Sequence, residues 1–198
     1  MRRIIKDNKS KIVSQNLKYL EDNSTNNQKI SKILFNEQKG FCAYTEEYIS
    51  RADAKDIEHF NPDLKGTISD NYSNWFLVKH QWNKEKSSKW EKYQPVLHPT
   101  DKDFNTKIIY DNGDYRVANP EDIYSVNLIK LIKLDDAILA YERKKYIRRK
   151  KAEIEKFGQS ASCFFEILIQ ADIKQISYLR AIQEEFNINI LDMIPIPQ

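Results

Sequence analysis

Apolar residues in the first 60 positions are spaced as in helices at first, and later they cluster in stretches whose composition is typical of strands. They recur on one side of a helix over residues 10–22, and again through "NNQKISKILFNEQK". Gly40 follows the second stretch, and glycine commonly stands just beyond a helix end. "FCAYTEEYI" and "DIEHF" are rich in aromatic and β-branched residues, so they predict two short strands.

The next 60 positions predict a loop, a helix and a hairpin. "NPDLKGTISDN" predicts the loop, because its residues favour turns. "SNWFLVKHQWNKEKSSKW" is predicted to begin helical or to become so, since Leu77, His80 and Lys84 would share one face. "KIIY" and "YRV" flank "DNGD", a turn sequence typical of β-hairpins.

The pattern beyond Pro120 is helical. One helix follows Pro120, a long one covers residues 135–157 and stops at Gly158, and two more lie near residues 163–171 and 174–186. "NINILDMIPIPQ" is predicted as an extended tail. We therefore expect an α+β protein with N-terminal helices in residues 1–39, a mixed core with its hairpin in 40–118, and a helical region in 119–198.

Composition narrows the class of protein. The chain has 198 residues, 40% of them hydrophobic, which is enough for a real core. Cys42 and Cys163 lie far apart and form no disulfide framework, as is typical of a reducing compartment. The charged N-terminal stretch does not resemble a signal peptide, and no apolar run reaches the length of about 18 residues that a membrane span needs. These features predict a cytoplasmic protein without a membrane partner.

Charge alone does not identify a partner. Basic residues number 32 and acidic residues 29, a net charge of +3, which is too mild to indicate nucleic acid. One segment, "YERKKYIRRKKAEIEK", carries eight basic residues and three acidic ones. It is either the solvated face of a helix or a surface that follows phosphates.

Between residues 56 and 86 the sequence carries residues suited to cutting a phosphodiester bond. Hydrolysis needs an activated water, stabilised charge on the phosphate and help for the leaving oxygen. A histidine can act as the base, and a magnesium ion needs only one or two protein oxygens. Glu58, His59, Asn74 and Asn83 supply a carboxylate, a base, an orienting amide and a second ligand.

The same stretch resembles the ββα-metal core of HNH endonucleases. Glu58 and His59 match that family's acid–histidine pair, Asn74 before Trp75 matches its central asparagine, and Asn83 matches its helix position. The resemblance implies that His59 is the general base and that Glu58 and Asn83 hold Mg²⁺ or Mn²⁺. Asn74 would steady either the loop or the His59 ring.

A narrower resemblance extends over about residues 40–149. "IEHFNP", "QPVLHPTDKDF" and "SVNLIKLIKLDDAILAYERK" are similar to stretches in the HNH nuclease subunits of Septu and retron-associated anti-phage defence systems. This resemblance implies DNA as the substrate and a partner ATPase that licenses cutting. The chain has no Gly-x-x-x-x-Gly-Lys loop of its own. The apolar stripe Ile129, Ile132 and Leu139 is one place where such a partner could dock, although core packing explains it equally well.

One departure from the family concerns zinc. Many HNH domains hold a structural zinc with two CxxC pairs, whereas here Cys42 is the single cysteine left at the four positions. We expect no structural zinc, with packing of Phe41, Tyr44 and Trp82 in its place.

Other assignments stay open. His80 could replace Asn83 as the ligand or contact the phosphate, and Lys84 and Lys86 could contact phosphates as well. Asp56 is either an acid that supports the site or a solvated strand residue. The alternatives to a DNA endonuclease are a non-catalytic nucleic-acid-binding or assembly module with a degenerate core, and an RNA-cutting toxin.

Overall fold

The computed structural model describes residues 1–87 and 89–197, with the backbone alone at Ser87. The fold is α+β: helices surround two separate two-stranded antiparallel sheets. The strands are β1 Lys55–His59, β2 Trp75–Lys79, β3 Ile108–Asp111 and β4 Asp114–Val117. The helices are α1 Lys11–Ser14, α2 Ser24–Glu37, α3 His80–Ser87, α4 Phe104–Lys107, α5 Ile123–Leu131, α6 Ala137–Phe157, α7 Ala161–Asp172, α8 Leu179–Phe186 and α9 Ile190–Met193.

β1, β2 and α3 form a continuous strand–loop–strand–helix unit. β1 pairs with β2 so that Glu58 lies opposite Phe76 and His59 opposite Trp75. α3 begins at His80, the residue directly after β2. Because the helix leaves the end of β2 that pairs with the start of β1, its first turns lie beside Asp56.

The helix predicted within "SNWFLVKHQWNKEKSSKW" is confirmed from His80 onward as α3, but it does not begin earlier, since "WFLVK" is β2. All four residues from Trp75 to Val78 are at most 1% exposed. A strand buried on both faces has a continuous apolar run instead of an alternating one, and periodicity cannot separate such a run from a buried helix.

The predicted strand "FCAYTEEYI" is also wrong. Phe41 and Tyr48 form an isolated bridge, and between them the chain turns through Glu46, whose φ is 60°. The first predicted helix shortens to α1, since the chain leaves the helix by Asn16, whose φ is 48°. The tail is not fully extended, because it includes the short helix α9.

The hairpin and the C-terminal helices are confirmed. β3 and β4 flank Asn112 and Gly113, and α6 ends at Gly158 in the left-handed conformation. α5, α7 and α8 lie within or close to the predicted helical stretches.

Two hydrophobic clusters make up the interior of the part of the chain that the structure describes. The first joins the N-terminal segment, β2, the hairpin and α5, and the second joins Phe41 to the helices α6–α9. Ile129 and Ile132 are 6% and 5% exposed inside the first cluster, so they are not available to dock a partner. No helix in the described part of the chain is long and apolar enough to span a membrane.

Candidate active site

Glu58, His59 and Asn83 meet at one cleft, here called the His59 cleft. Its volume is about 670 Å³, and its two walls come from β1 with α3 and from the first half of α2. Asn74 stands behind it, at the start of β2. The lining residues are Tyr19, Ser24, Asn27, Gln28, Ser31, Lys55, Asp56, Ile57, Glu58, His59, Pro62, Lys65, Asn83 and Lys86.

The ring of His59 is enclosed by a carboxylate and two aromatic rings. Its Nε2 lies 3.1 Å from Oδ2 of Asp70, at the edge of hydrogen-bonding geometry, and has no hydrogen-bond partner among the described residues. Tyr19 packs edge-on with ring centroids 4.5 Å apart, and Trp75 lies behind at 6.3 Å. Burial lowers the pKa of His59, and the Asp70 carboxylate opposes this shift only in part. The imidazole is therefore neutral at neutral pH.

Asn74 fixes the loop that follows β1. Its side-chain oxygen accepts from the backbone N–H of Asn61 at 2.7 Å, and its amide nitrogen donates to the Asn61 carbonyl at 3.0 Å. The same nitrogen donates to Oδ1 of Asp70 at 3.1 Å, and the Trp75 indole N–H donates to that oxygen at 2.7 Å. Asn74 thus steadies the loop directly, and through Asp70 it positions the carboxylate beside the His59 ring.

Glu58 is buried against an ammonium group. Lys86 Nζ lies 2.5 Å from Glu58 Oε1 and donates to the His59 carbonyl at 3.1 Å. The Tyr44 hydroxyl donates to the same Glu58 oxygen at 3.2 Å. Burial raises the pKa of Glu58 and lowers the pKa of Lys86, and each charge counteracts the shift of the other. Both groups therefore depend on the pairing to stay charged.

Asp56 joins the two possible ligands on α3. Its Oδ2 lies 2.8 Å from His80 Nδ1 and accepts from Asn83 Nδ2 at 2.8 Å. Asn83 lines the His59 cleft, whereas His80 does not. Because its nitrogen is already bonded to Asp56, the oxygen of Asn83 is left for a ligand. This arrangement favours Asn83 over His80.

The chemistry of the cleft donors fits a hard divalent cation. Glu58 and Asn83 offer one carboxylate and one amide oxygen, with the Asp56 carboxylate holding the Asn83 amide nitrogen, and magnesium needs only one or two oxygens from the protein. The described residues contain no group of three or more His, Cys, Asp or Glu side chains arranged for a metal. A cation here would therefore keep water and substrate oxygens in most of its coordination positions.

The residues named in the zinc expectation are buried or partly buried. Cys42 is buried, and its Sγ accepts from the backbone N–H of Lys79 at 3.4 Å. Tyr44 and partly buried Trp82 pack in the first hydrophobic cluster, while Phe41 packs in the second.

The residues predicted to contact nucleic acid occupy different settings. His80 and Lys84 are exposed on α3. Lys86 is 2% exposed and faces Glu58, so it belongs to the inner wall of the His59 cleft.

Sequence reasoning missed Asp70 and Tyr19. Asp70 lies in a polar loop that carries several similar residues, and only its burial sets it apart. Tyr19 belongs to a segment predicted to be helical, and its position over His59 depends on how that segment folds back. Asp56 was predicted to be either an acid that supports the site or a solvated strand residue. Its bonds to His80 and Asn83 favour the supporting role.

Comparisons of this chain with protein-family models, with curated proteins and with solved structures found no match.

Proposed function

We propose that this protein is a metal-dependent endonuclease of the HNH type that hydrolyses phosphodiester bonds in DNA. The observation that carries the proposal is the convergence of Glu58, His59 and Asn83 on one cleft of a strand–loop–strand–helix unit. A neutral imidazole, a carboxylate and an amide are the groups that this reaction requires from the protein.

His59 acts as the general base. Its Nε2 is buried beside Asp70, so we assign the contact with the attacking water to Nδ1. A neutral ring with its proton on Nε2 accepts the proton of the attacking water at Nδ1, and Asp70 stabilises the resulting imidazolium. Asn74 acts through Asp70 and the loop and does not contact the substrate.

Glu58 and Asn83 would hold the cation, with Asp56 supporting Asn83. When bound, Mg²⁺ or Mn²⁺ supplies positive charge that stabilises the phosphate and the leaving oxygen. Lys86 stands beside Glu58 and contributes a second positive charge to the same wall.

A plasmid-nicking assay with Mg²⁺ or Mn²⁺ tests the proposal. Substituting His59→Ala should lower the cleavage rate by at least about 100-fold, the usual cost of losing a general base. His98→Ala is the matched control, because His98 lies outside the His59 cleft. Circular dichroism and thermal unfolding would verify that both variants fold. Undiminished nicking by a folded His59→Ala protein would refute the assignment.

A second candidate is a non-catalytic nucleic-acid-binding module. It is favoured by the Lys86 ammonium, which already neutralises the Glu58 carboxylate at 2.5 Å. Calorimetric titration with Mn²⁺ separates the two candidates. The endonuclease binds the ion and loses affinity on Glu58→Gln, whereas the binding module gives the same titration with or without that substitution.

Gating by a partner ATPase of an anti-phage system remains part of the proposal. It is supported by the aromatic ring of Tyr19, which packs over His59, a residue that is only 7% exposed. Glu21, two residues further on, pairs at 2.6 Å with Lys65, which lines the His59 cleft. If this cover limits access, Tyr19→Ala should nick plasmid faster than the unsubstituted chain when neither has a partner. Equal rates would count against gating at this segment.

A further inference from the structure

A second cleft adjoins the first one across α2, and it is here called the Arg51 cleft. Its volume is about 490 Å³. It shares Gln28, Ser31 and Lys55 with the His59 cleft. The two clefts are therefore neighbouring parts of one groove, with the polar face of α2 between them. The lining residues of the Arg51 cleft are Gln28, Ser31, Lys32, Phe35, Tyr48, Ile49, Ser50, Arg51, Lys55 and Lys174.

The Arg51 cleft is strongly basic. Lys32, Arg51, Lys55 and Lys174 line it, and all four are exposed. Within the described part of the chain no aspartate or glutamate lines it, and none forms an ion pair with any of the four. On α6, by contrast, carboxylates pair with several of the basic residues, as Glu153 does with Arg149 and Lys150. Unpaired cations grouped on a concave surface attract a polyanion.

Neutral groups in the Arg51 cleft suit a nucleic acid better than a simple anion. Phe35 and Tyr48 are partly buried, with ring centroids 6.2 Å apart, and Lys55 Nζ lies 5.8 Å from the Phe35 ring centre. Surfaces that bind nucleic-acid strands combine aromatic rings, on which bases stack, with cations that contact the phosphates. Gln28 and Ser31 provide uncharged hydrogen-bonding groups where the two clefts join.

We infer that the DNA strand whose phosphate enters the His59 cleft continues across α2 into the Arg51 cleft, where Lys32, Arg51, Lys55 and Lys174 contact its phosphates. The position of the cut relative to this path rests on the proposed function. Binding of the strand does not, since it needs only the charge and shape of the groove.

The experiment measures binding in a chain that cannot cut. In a His59→Ala background, the triple variant Lys32→Ala, Arg51→Ala and Lys174→Ala would be titrated into a fluorescein-labelled 30-nucleotide DNA by anisotropy. Each phosphate contact contributes roughly 0.7 to 0.9 to the slope of log affinity against log salt. The triple variant should therefore show a slope smaller by roughly 2 to 3, and an affinity at least about tenfold weaker at low salt.

A matched control removes the same number of charges elsewhere. Lys145→Ala, Arg148→Ala and Lys156→Ala on α6 also delete two lysines and one arginine, and none of these residues lines either cleft. This control should change the slope by less than about one. Unfolding curves of both triple variants would verify their folds.

Several outcomes would overturn the inference. An unchanged slope in the cleft variant would do so, and so would an equal loss in the α6 control, which would show a general charge effect. A loss confined to RNA of the same sequence would overturn the assignment to DNA. The proposed function is judged separately by plasmid nicking, so absence of nicking with the predicted binding loss would reject the endonuclease and leave the groove assignment intact.

Discussion

Burial of His59 sets the protonation state that a general base needs. Because burial lowers its pKa, the ring stays neutral down to a pH below its ordinary value of about 6.5. The sign for stability follows from the same shift. As the pH falls through about 6.5, His59 of the unfolded chain takes up a proton that folded His59 resists. The free energy of unfolding therefore decreases as the pH falls from about 6.5 to the lowered pKa of folded His59.

Asp70→Asn should lower the pKa of His59 further, because it removes the carboxylate that favours the imidazolium while the burial remains. The acid limb of the pH–rate profile should then move to lower pH, and cleavage should slow by about tenfold or more, as for other groups that orient a site residue. Ring titration by NMR measures the pKa. His98 serves as an internal reference, since Asp70 does not contribute to its shift. A raised or unmoved pKa of His59 would contradict the role of Asp70.

Lys86→Met should destabilise the fold, because it leaves the Glu58 carboxylate buried without its cation. The expected loss in the free energy of unfolding is about 3–5 kcal/mol, the range for breaking a buried pair. The double variant with Glu58→Gln should recover part of this loss, since no unpaired charge remains. Urea unfolding measures all three proteins. The exposed Lys130→Met is the control and should stay within about 0.5 kcal/mol of the unsubstituted chain. A single variant as stable as that control would show that the pair contributes nothing.

At the scale of elements, local sequence signals succeeded where local physics decides the structure. Gly158 ends α6 with a φ of 63°, and Asn112 and Gly113 turn the hairpin with φ of 47° and 89°. They failed for β2, whose burial on both faces removes the alternation that marks a strand. They also failed at Glu46, where tertiary contacts hold a turn inside an aromatic-rich stretch.

Gly113→Ala should be among the more costly changes to a single element. A methyl group there would lie 2.9 Å from the Ala140 carbonyl oxygen and would also meet the Lys144 side chain. Left-handed strain of about 1–2 kcal/mol and overpacking of about 1–3 kcal/mol together give a loss of about 3 kcal/mol in thermal or urea unfolding. Gly66→Ala separates the strain from the overpacking, because Gly66 has a φ of 76° but a methyl group added there would have no neighbouring atom within 4 Å. Equal losses of stability at both positions would mean that contact with α6 adds nothing to the cost of Gly113→Ala.

At the scale of the molecule, the candidate site was predictable in part. Glu58, His59 and Asn83 could be named from residue type and order, because one short strand–loop–strand–helix unit supplies all three. Tyr19 and the wall formed by α2 could not, since they come from a segment distant in sequence. The approach of α2 to β1 depends on burial of Ile30 and Leu34 in the first cluster. No local sequence pattern relates that burial to the cleft.

Glu46 connects distant parts of the chain, and Glu46→Ala should therefore destabilise the whole molecule. Its carboxylate accepts from the Arg2 backbone N–H at 3.0 Å, and from the Tyr115 hydroxyl and the Arg180 backbone N–H at 3.3 Å each. Removing a buried, hydrogen-bonded charge should cost about 3–5 kcal/mol.

Because these partners belong to the N-terminal segment, β4 and α8, the loss should appear in one cooperative transition seen alike by tryptophan fluorescence and by far-UV circular dichroism. The neighbouring Glu47→Ala is the control. Its side chain is 29% exposed and 3.8 Å from Lys79, so it should cost less than about 1 kcal/mol. Two separated transitions in Glu46→Ala would instead show that the two hydrophobic clusters unfold independently once the Glu46 carboxylate is lost.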